Sequence, residues 1–265
     1  MKNPMSAKTF LENIRKGAGL KTSIAEVTKQ LQGGYRRGNF YAHFVYEKVA
    51  LDFFAQETNT IAQESDFVWV FSASESESAL RERCIAKNAG KPLFELDDAA
   101  LKKHVDTHFD KIVVVECEQN VADVAVPLFE KKQKEPNFKF PPIIFYGFET
   151  MTGDPCECFE ALAHELNCVV IAIACQRNAS FRWTAMENVS WHKVTNNAQF
   201  TTFMRPFGFD RGNRGAKSIS AFLANIENGS QGDLEFYTFS KGQNTLRDAS
   251  SIVLSYSPDG GRIAA

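Results

Sequence analysis

Short runs of almost unbroken apolar residues, at 40–45, 67–71, 112–115, 143–148, 169–174 and 252–256, recur between stretches with helical spacing. A strand buried on one face alternates apolar and polar side chains, whereas a strand buried on both faces has no reason to alternate. Such runs separated by helices imply a parallel sheet covered on both sides. The helical patterns fall at 48–56, 77–88, 99–109, 121–134 and 156–166. The stretch 180–240 departs from this rhythm: 189–194, 199–204 and 234–239 read as strands and 219–228 as a helix. The expected class is α/β, a mostly parallel sheet with helices on both faces and a β-rich excursion near the C-terminus.

A chain of 265 residues with 44% hydrophobic content can bury one substantial core. The organisation expected is an N-terminal extension over 1–17 and a single domain over 18–265, with 180–240 as an insertion or nucleic-acid loop region. No segment reaches the roughly 18 to 20 apolar residues of a membrane span, and the N-terminus lacks an apolar signal core. A soluble cytoplasmic protein without a membrane partner is expected.

The net charge of −2 gives no global attraction to nucleic acid, so any such contact must be local. One segment suits it, RPFGFDRGNRGAK at 205–217, where Arg205, Arg211, Arg214 and Lys217 interleave with Phe207 and Phe209. Cations beside aromatic rings suit phosphates and stacked bases, although an ordinary charged surface loop has the same composition. Residues 211–218, RGNRGAKS, also come close to a phosphate-loop pattern with the last glycine displaced by one. The six cysteines include one C-x-C, Cys156 and Cys158, with no second cluster, so reduced thiols are expected. His104 and His108 stand four apart on a helical pattern, a spacing that suits a solvated or half-buried pair better than a metal site. The charge run at 130–135 reads as a solvated helix end.

Residues 33–56, GGYRRGNFYAHFVYEKVALDFFAQ, have the layout of a turn, a buried strand and a helix that opens near Lys48. A phosphate loop, G-x-x-x-x-G-K-[ST], uses glycines to bring backbone N–H groups around phosphate, Lys to reach the β/γ-phosphates and Ser/Thr to hold Mg²⁺. The frame ending here at Lys48 has Glu47 in place of glycine and Val49 in place of the hydroxyl. A carboxylate beside a polyphosphate disfavours binding, and valine offers no oxygen to a metal.

With the elements in order, the chain resembles the C-terminal motor domain of DnaB-type replicative helicases, members of the RecA-like ATPases. A Gly-hydrophobic stretch and a Gly-Gly turn before the first core strand are similar to the family's in GLKTSIAEVTKQLQGGYRRGN, 19–39. FSASESESALRERCIAKNAG at 71–90 resembles its F-S-L-E-M-S strand end and arginine-bearing helix. IIFYGFETM at 143–151 looks like the Walker B strand, and ALAHELNCVVIAIACQ at 161–176 like A-K-E-L-N-x-P-V-I-A-L-S-Q. TLRDASSIVLSY at 245–256 is similar to the terminal L-R-x-S-x-I-x-Q-D-A-D-V-V.

The resemblance places the phosphate-loop lysine at Lys48, flanked by Glu47 and Val49, and makes the loop shorter than the family's. It implies Ser74 where the water-polarising glutamate stands, unless a slip brings in Glu75, which strand alternation would turn to the other face. Tyr146 falls at the Walker B aspartate, and Gln176 at the glutamine that senses γ-phosphate. The family's arginine finger has only Arg262 as a poor counterpart. Hydrolysis needs cradle, metal ligand and base together, so the expectation is a catalytically inactive relative with a vestigial nucleotide site and no cofactor. It would bind single-stranded DNA or act as a scaffold in DNA replication or recombination, assembling with itself or with an active helicase. The alternative is an active, divergent ATPase or helicase that uses ATP and magnesium with Glu47, Glu75 or Glu149 in new roles.

Overall fold

The computed structural model describes residues 19–176, 190–208, 214–243, 245–247 and 249–264. In chain order these form α1 (Ala25–Gln30), β1 (Asn39–Tyr46), α2 (Glu47–Glu64), β2 (Val68–Ser72), α3 (Glu77–Ala89), α4 (Asp98–Lys111) and β3 (Ile112–Glu116). There follow α5 (Val121–Lys134), β4 (Ile143–Tyr146), α6 (Pro155–Leu166), β5 (Val169–Gln176), α7 (Trp191–Asn197) and β6 (Phe200–Pro206). The last elements are α8 (Arg214–Glu227), β7 (Gly232–Ser240), β8 (Ser250–Ser257) and β9 (Arg262–Ala264).

All strands belong to one nine-stranded sheet in the order β3-β2-β4-β5-β1-β6-β7-β8-β9. From β3 to β6 neighbours are parallel, and from β6 to β9 they are antiparallel. The β-rich stretch near the C-terminus is thus an antiparallel arm of the main sheet, and β6 lies beside β1 at its centre.

Burial on both faces explains the unbroken apolar runs. In β1, Tyr41 and Val45 join one core with Phe53 and Phe54 of α2, while Phe40, Ala42 and Phe44 join the opposite core with Phe148 and Phe159. Helix starts follow local capping chemistry: Ser76 accepts from Ala79 N–H at α3, Asp97 from Ala100 N–H at α4, and Asn120 from Ala122 N–H at α5.

The expected strand at 189–194 is corrected by the same chemistry. Ser190 accepts from Lys193 N–H and starts α7, whose buried Trp191, Val194 and Thr195 have i, i+3, i+4 spacing. Helix α2 runs on to Glu64, well beyond the expected 56, because its polar Asp52, Glu57 and Thr58 are buried and break the apolar period.

The turn after α1 depends on glycine. Gly34 has φ +111°, and a Cβ there would come 2.0 Å from the Leu20 carbonyl oxygen, across the antiparallel bridge Leu20–Tyr35.

The two sheet edges differ. At β9 the Gln56 amide occupies the edge: its Nε2 donates to Ile263 O (2.9 Å) and its Oε1 accepts from Ile263 N–H (3.1 Å). At β3 the Arg81 guanidinium covers a single carbonyl, that of Ile112, at 2.9 Å.

Candidate functional site

Ligands of open parallel sheets sit beyond the carboxyl ends of the strands, where β1, β2, β4 and β5 end here. β1 ends at Tyr46 and α2 begins at Glu47, so no residue separates strand from helix. Tyr46 itself is the N-cap, with φ −56°, ψ 131° and no side-chain cap bond. Its ring is buried and meets Phe222 of α8 edge-on, with centroids 6.1 Å apart. Phe44 faces the other way, packed on Phe148 and Trp191. Glu47 and Lys48 are exposed in the first turn, whereas Val49 is fully buried.

Three further positions converge on the same rim. Tyr146 ends β4 with its ring 4.9 Å from that of Phe54, and its hydroxyl lies 3.2 Å from Cys175 Sγ, which donates to it. Burial raises the Tyr146 phenol well above its ordinary range, and Cys175, Glu75 and Glu149 push in the same direction. The Cys175 thiol is pushed up to about 12, first by burial and then by Glu149. Gln176 is buried and pairs in register with Tyr46 across the β1–β5 ladder.

Ser74 is exposed beyond the end of β2 and rests against Gly147, whose φ is +78°; a Cβ at Gly147 would lie 2.0 Å from Ser74 Oγ. Because β2 stops at Ser72, strand alternation does not govern Glu75, and the expectation that it turns to the other face is corrected. Glu75 is instead fixed by its backbone, its N–H donating to Ser72 Oγ (3.1 Å) and its carbonyl accepting from that hydroxyl (2.6 Å).

The sequence reading missed Cys175 and Phe222 as parts of this rim. Alternation along β5 was the available signal for Cys175, since Ile173, on the same face, pairs with Tyr146. Phe222 had no local signal.

The segment 205–217 is not one continuous loop. Arg205 and Pro206 end β6, and Arg214 and Lys217 lie in α8. Phe209 and Arg211 lie outside the described residues. Arg205 is a correction to the expected surface cation: its side chain is 1% exposed, its Nε donates to Glu235 Oε2 at 2.9 Å and its Nη2 to the Tyr237 hydroxyl at 2.9 Å. Glu235 is its cross-strand partner on β7, and the other carboxylate oxygen accepts from Gly208 N–H (3.1 Å). Phe207 and Lys217 are exposed. Residues 215–218, the end of the near phosphate-loop pattern, fall inside α8.

Among the described residues no group of three His, Cys, Asp or Glu side chains could hold a metal ion. His104 stands 3.5 Å from Asn88 Nδ2, and His108 is buried, its imidazole held down to about 4 by burial and Arg81. Cys156 is buried and Cys158 half-buried on α6, both as free thiols. No helix among the described residues is long and apolar enough to cross a membrane.

A parallel core with β1 between β5 and β6, extended by an antiparallel arm, is the RecA-like fold of DnaB-type helicase ATPase domains. One solved structure, of an isolated ATPase domain, is similar over 100% of this chain and 99% of its own, with a TM-score of 0.66 and 13% identity. A DnaB-like replicative helicase, in a structure that reports its interactions with primase, is similar over 97% of this chain and 66% of its own, with a TM-score of 0.62 and 15% identity. No protein-family model and no curated protein sequence matches the chain.

Proposed function

We propose that this chain is a DnaB-type RecA-like protein that has lost ATPase chemistry and acts as a nucleic-acid-binding or scaffold factor in DNA replication or recombination. The observation that carries the reading is the direct passage from β1 into α2. A phosphate cradle is built from backbone N–H groups of a glycine loop, and here Tyr46, packed on Phe222, stands where that loop would begin. Val49 and Tyr146 fit neither the hydroxyl nor the carboxylate that magnesium and its water require, and Ser74 brings no base. The residues present do not fit a magnesium nucleotide.

The nucleic-acid contact rests on Phe207, Arg214 and Lys217 with Phe209 and Arg211. Arg205 serves it indirectly, by holding the Glu235 carboxylate that fixes Gly208 N–H. Partners in this reading are single-stranded DNA and a second RecA-like domain, its own or that of an active helicase.

Thermal melting with and without Mg-ATP tests the loss. Saturating ligand at about 100 times Kd adds about 2.7 kcal/mol to stability. The expected result is no shift and no phosphate release; a shift of several degrees would refute it. Salt-dependent binding to a fluorescent single strand tests the interface. Replacing both Arg211 and Arg214 by Ala is expected to weaken binding and flatten the salt slope.

One observation favours the alternative of a divergent ATPase. Glu47, Glu75 and Glu149 all act on Cys175, so three carboxylates approach the rim at which a metal could be held. The Mg-ATP measurement separates the two readings.

A further inference from the structure

The edge of the sheet at β3 carries an inference independent of the nucleotide question. Cys117 N–H donates to Ser72 O (2.8 Å), and Arg81 reaches Ile112 O from outside the sheet. Alternation therefore turns the backbone of Val113 and Val115 toward β2 and that of Val114 and Glu116 away from it. Neither the Val114 N–H nor its carbonyl has a hydrogen-bond partner among the described residues. Val113 and Val115 are each 42% exposed and lie in register beside Trp69 and Phe71. The strand reads Ile-Val-Val-Val-Glu, without the Pro, Lys or bulge that ordinarily blunts an edge.

We propose that β3 is a self-association edge, on which a second copy of this chain pairs its own β3 antiparallel about Val114. The ends of the strand select this partner and direction. Arg81 stands at the Ile112 end and the Glu116 carboxylate at the other. Antiparallel pairing opposes Ile112 to Glu116 of the partner subunit, and so sets Arg81 beside an opposite charge at both ends. Parallel pairing would set like beside like.

In this register Val114 exchanges both backbone bonds with Val114 of the partner subunit. Glu116 N–H reaches Ile112 O of the partner subunit, a carbonyl with a second lone pair to offer beside Arg81. Val113 then faces Val115 of the partner subunit in a non-hydrogen-bonded pair, with Cα atoms about 4.5 Å apart. The exposed valines of both copies form one apolar strip. The contact is a two-fold, self-complementary one and small, so association is weak and concentration-dependent.

Sedimentation velocity of the full chain over a concentration series is the test, comparing wild type with Val113→Lys and Val115→Lys. Both side chains are already partly in solvent, so the fold tolerates the change, which circular dichroism checks. The expected result is a reversible monomer–dimer equilibrium weakened at least about tenfold by either lysine. Register is read by oxidising a mixture of Val113→Cys and Val115→Cys chains, which should give a covalent dimer that neither variant gives alone. A wild type that stays monomeric throughout, a dimer that both lysines leave intact, or equal cross-linking of each cysteine variant with itself overturns the proposal.

Discussion

Lowering the pH should remove stability through one imidazole. His43 lies at the centre of β1, 1% exposed, with Nε2 2.8 Å from the Tyr35 hydroxyl and Nδ1 2.8 Å from Thr202 Oγ1. The rings of Tyr35 and Phe53 pack against it, and burial holds it down to about 3 from an ordinary 6.5. The folded state therefore keeps His43 neutral, while the unfolded chain takes up a proton as pH falls below 6.5. Stability contributed by the neutral form is complete above 6.5 and is lost progressively down to about 3.

The loss is about 1.4 kcal/mol per pH unit, so roughly 2–3 kcal/mol between pH 6.5 and 4.5. At about 2–4 °C per kcal/mol, Tm should drop by roughly 5–10 °C from this group alone. His108 titrates in the same direction, and buried Glu57, with its carboxyl raised by burial, in the opposite one: its contribution is complete at low pH and lost as pH rises through its raised folded value. The discriminating quantity is thus the difference in slope between wild type and His43→Gln, whose amide can still meet both hydroxyls. Urea unfolding at several pH values measures it. If His43→Gln retains the wild-type slope between pH 6.5 and 4.5, the reasoning is wrong.

Two further outcomes follow from packing. Gly261 has φ +58°, and a Cβ there would lie 1.8 Å from Asp52 Oδ1, a carboxylate already bound by Arg83 (2.6 Å) and the Tyr256 hydroxyl (2.9 Å). Gly261→Ala should cost about 2–4 kcal/mol in chemical denaturation, whereas Gly90→Ala, with open space around it and a similar positive φ, should cost only about 1 kcal/mol. Arg205→Met alone leaves the Glu235 carboxylate without its cation and should cost about 3 kcal/mol, most of which Arg205→Met with Glu235→Leu recovers; an additive double variant would refute the coupling.

The layout of the parallel core was legible because burial on both faces erases alternation, and a run such as 169–174 records that directly. Elements held by tertiary contacts were not. The three residues of β9 are too few to show a period, and their place depends on Gln56. Arg205 beside phenylalanines reads as a surface cation until β7 brings Glu235 across from it. The rim positions Tyr146 and Ser74 were found by order along the chain, but the contacts that fill the rim, Tyr46 with Phe222 and Tyr146 with Cys175, join segments far apart in sequence.

The continuous passage from β1 into α2 also has a mechanical consequence. A flexible link between strand and helix lets a helix tilt without disturbing the sheet, and local opening begins most readily at such links. Residues 39–64 contain none, and both partners in the joint are buried. Strand and helix form one stiff lever through the middle of the molecule. A push on the Gln56 end, where β9 is fastened, is delivered to the centre of the sheet with little taken up on the way.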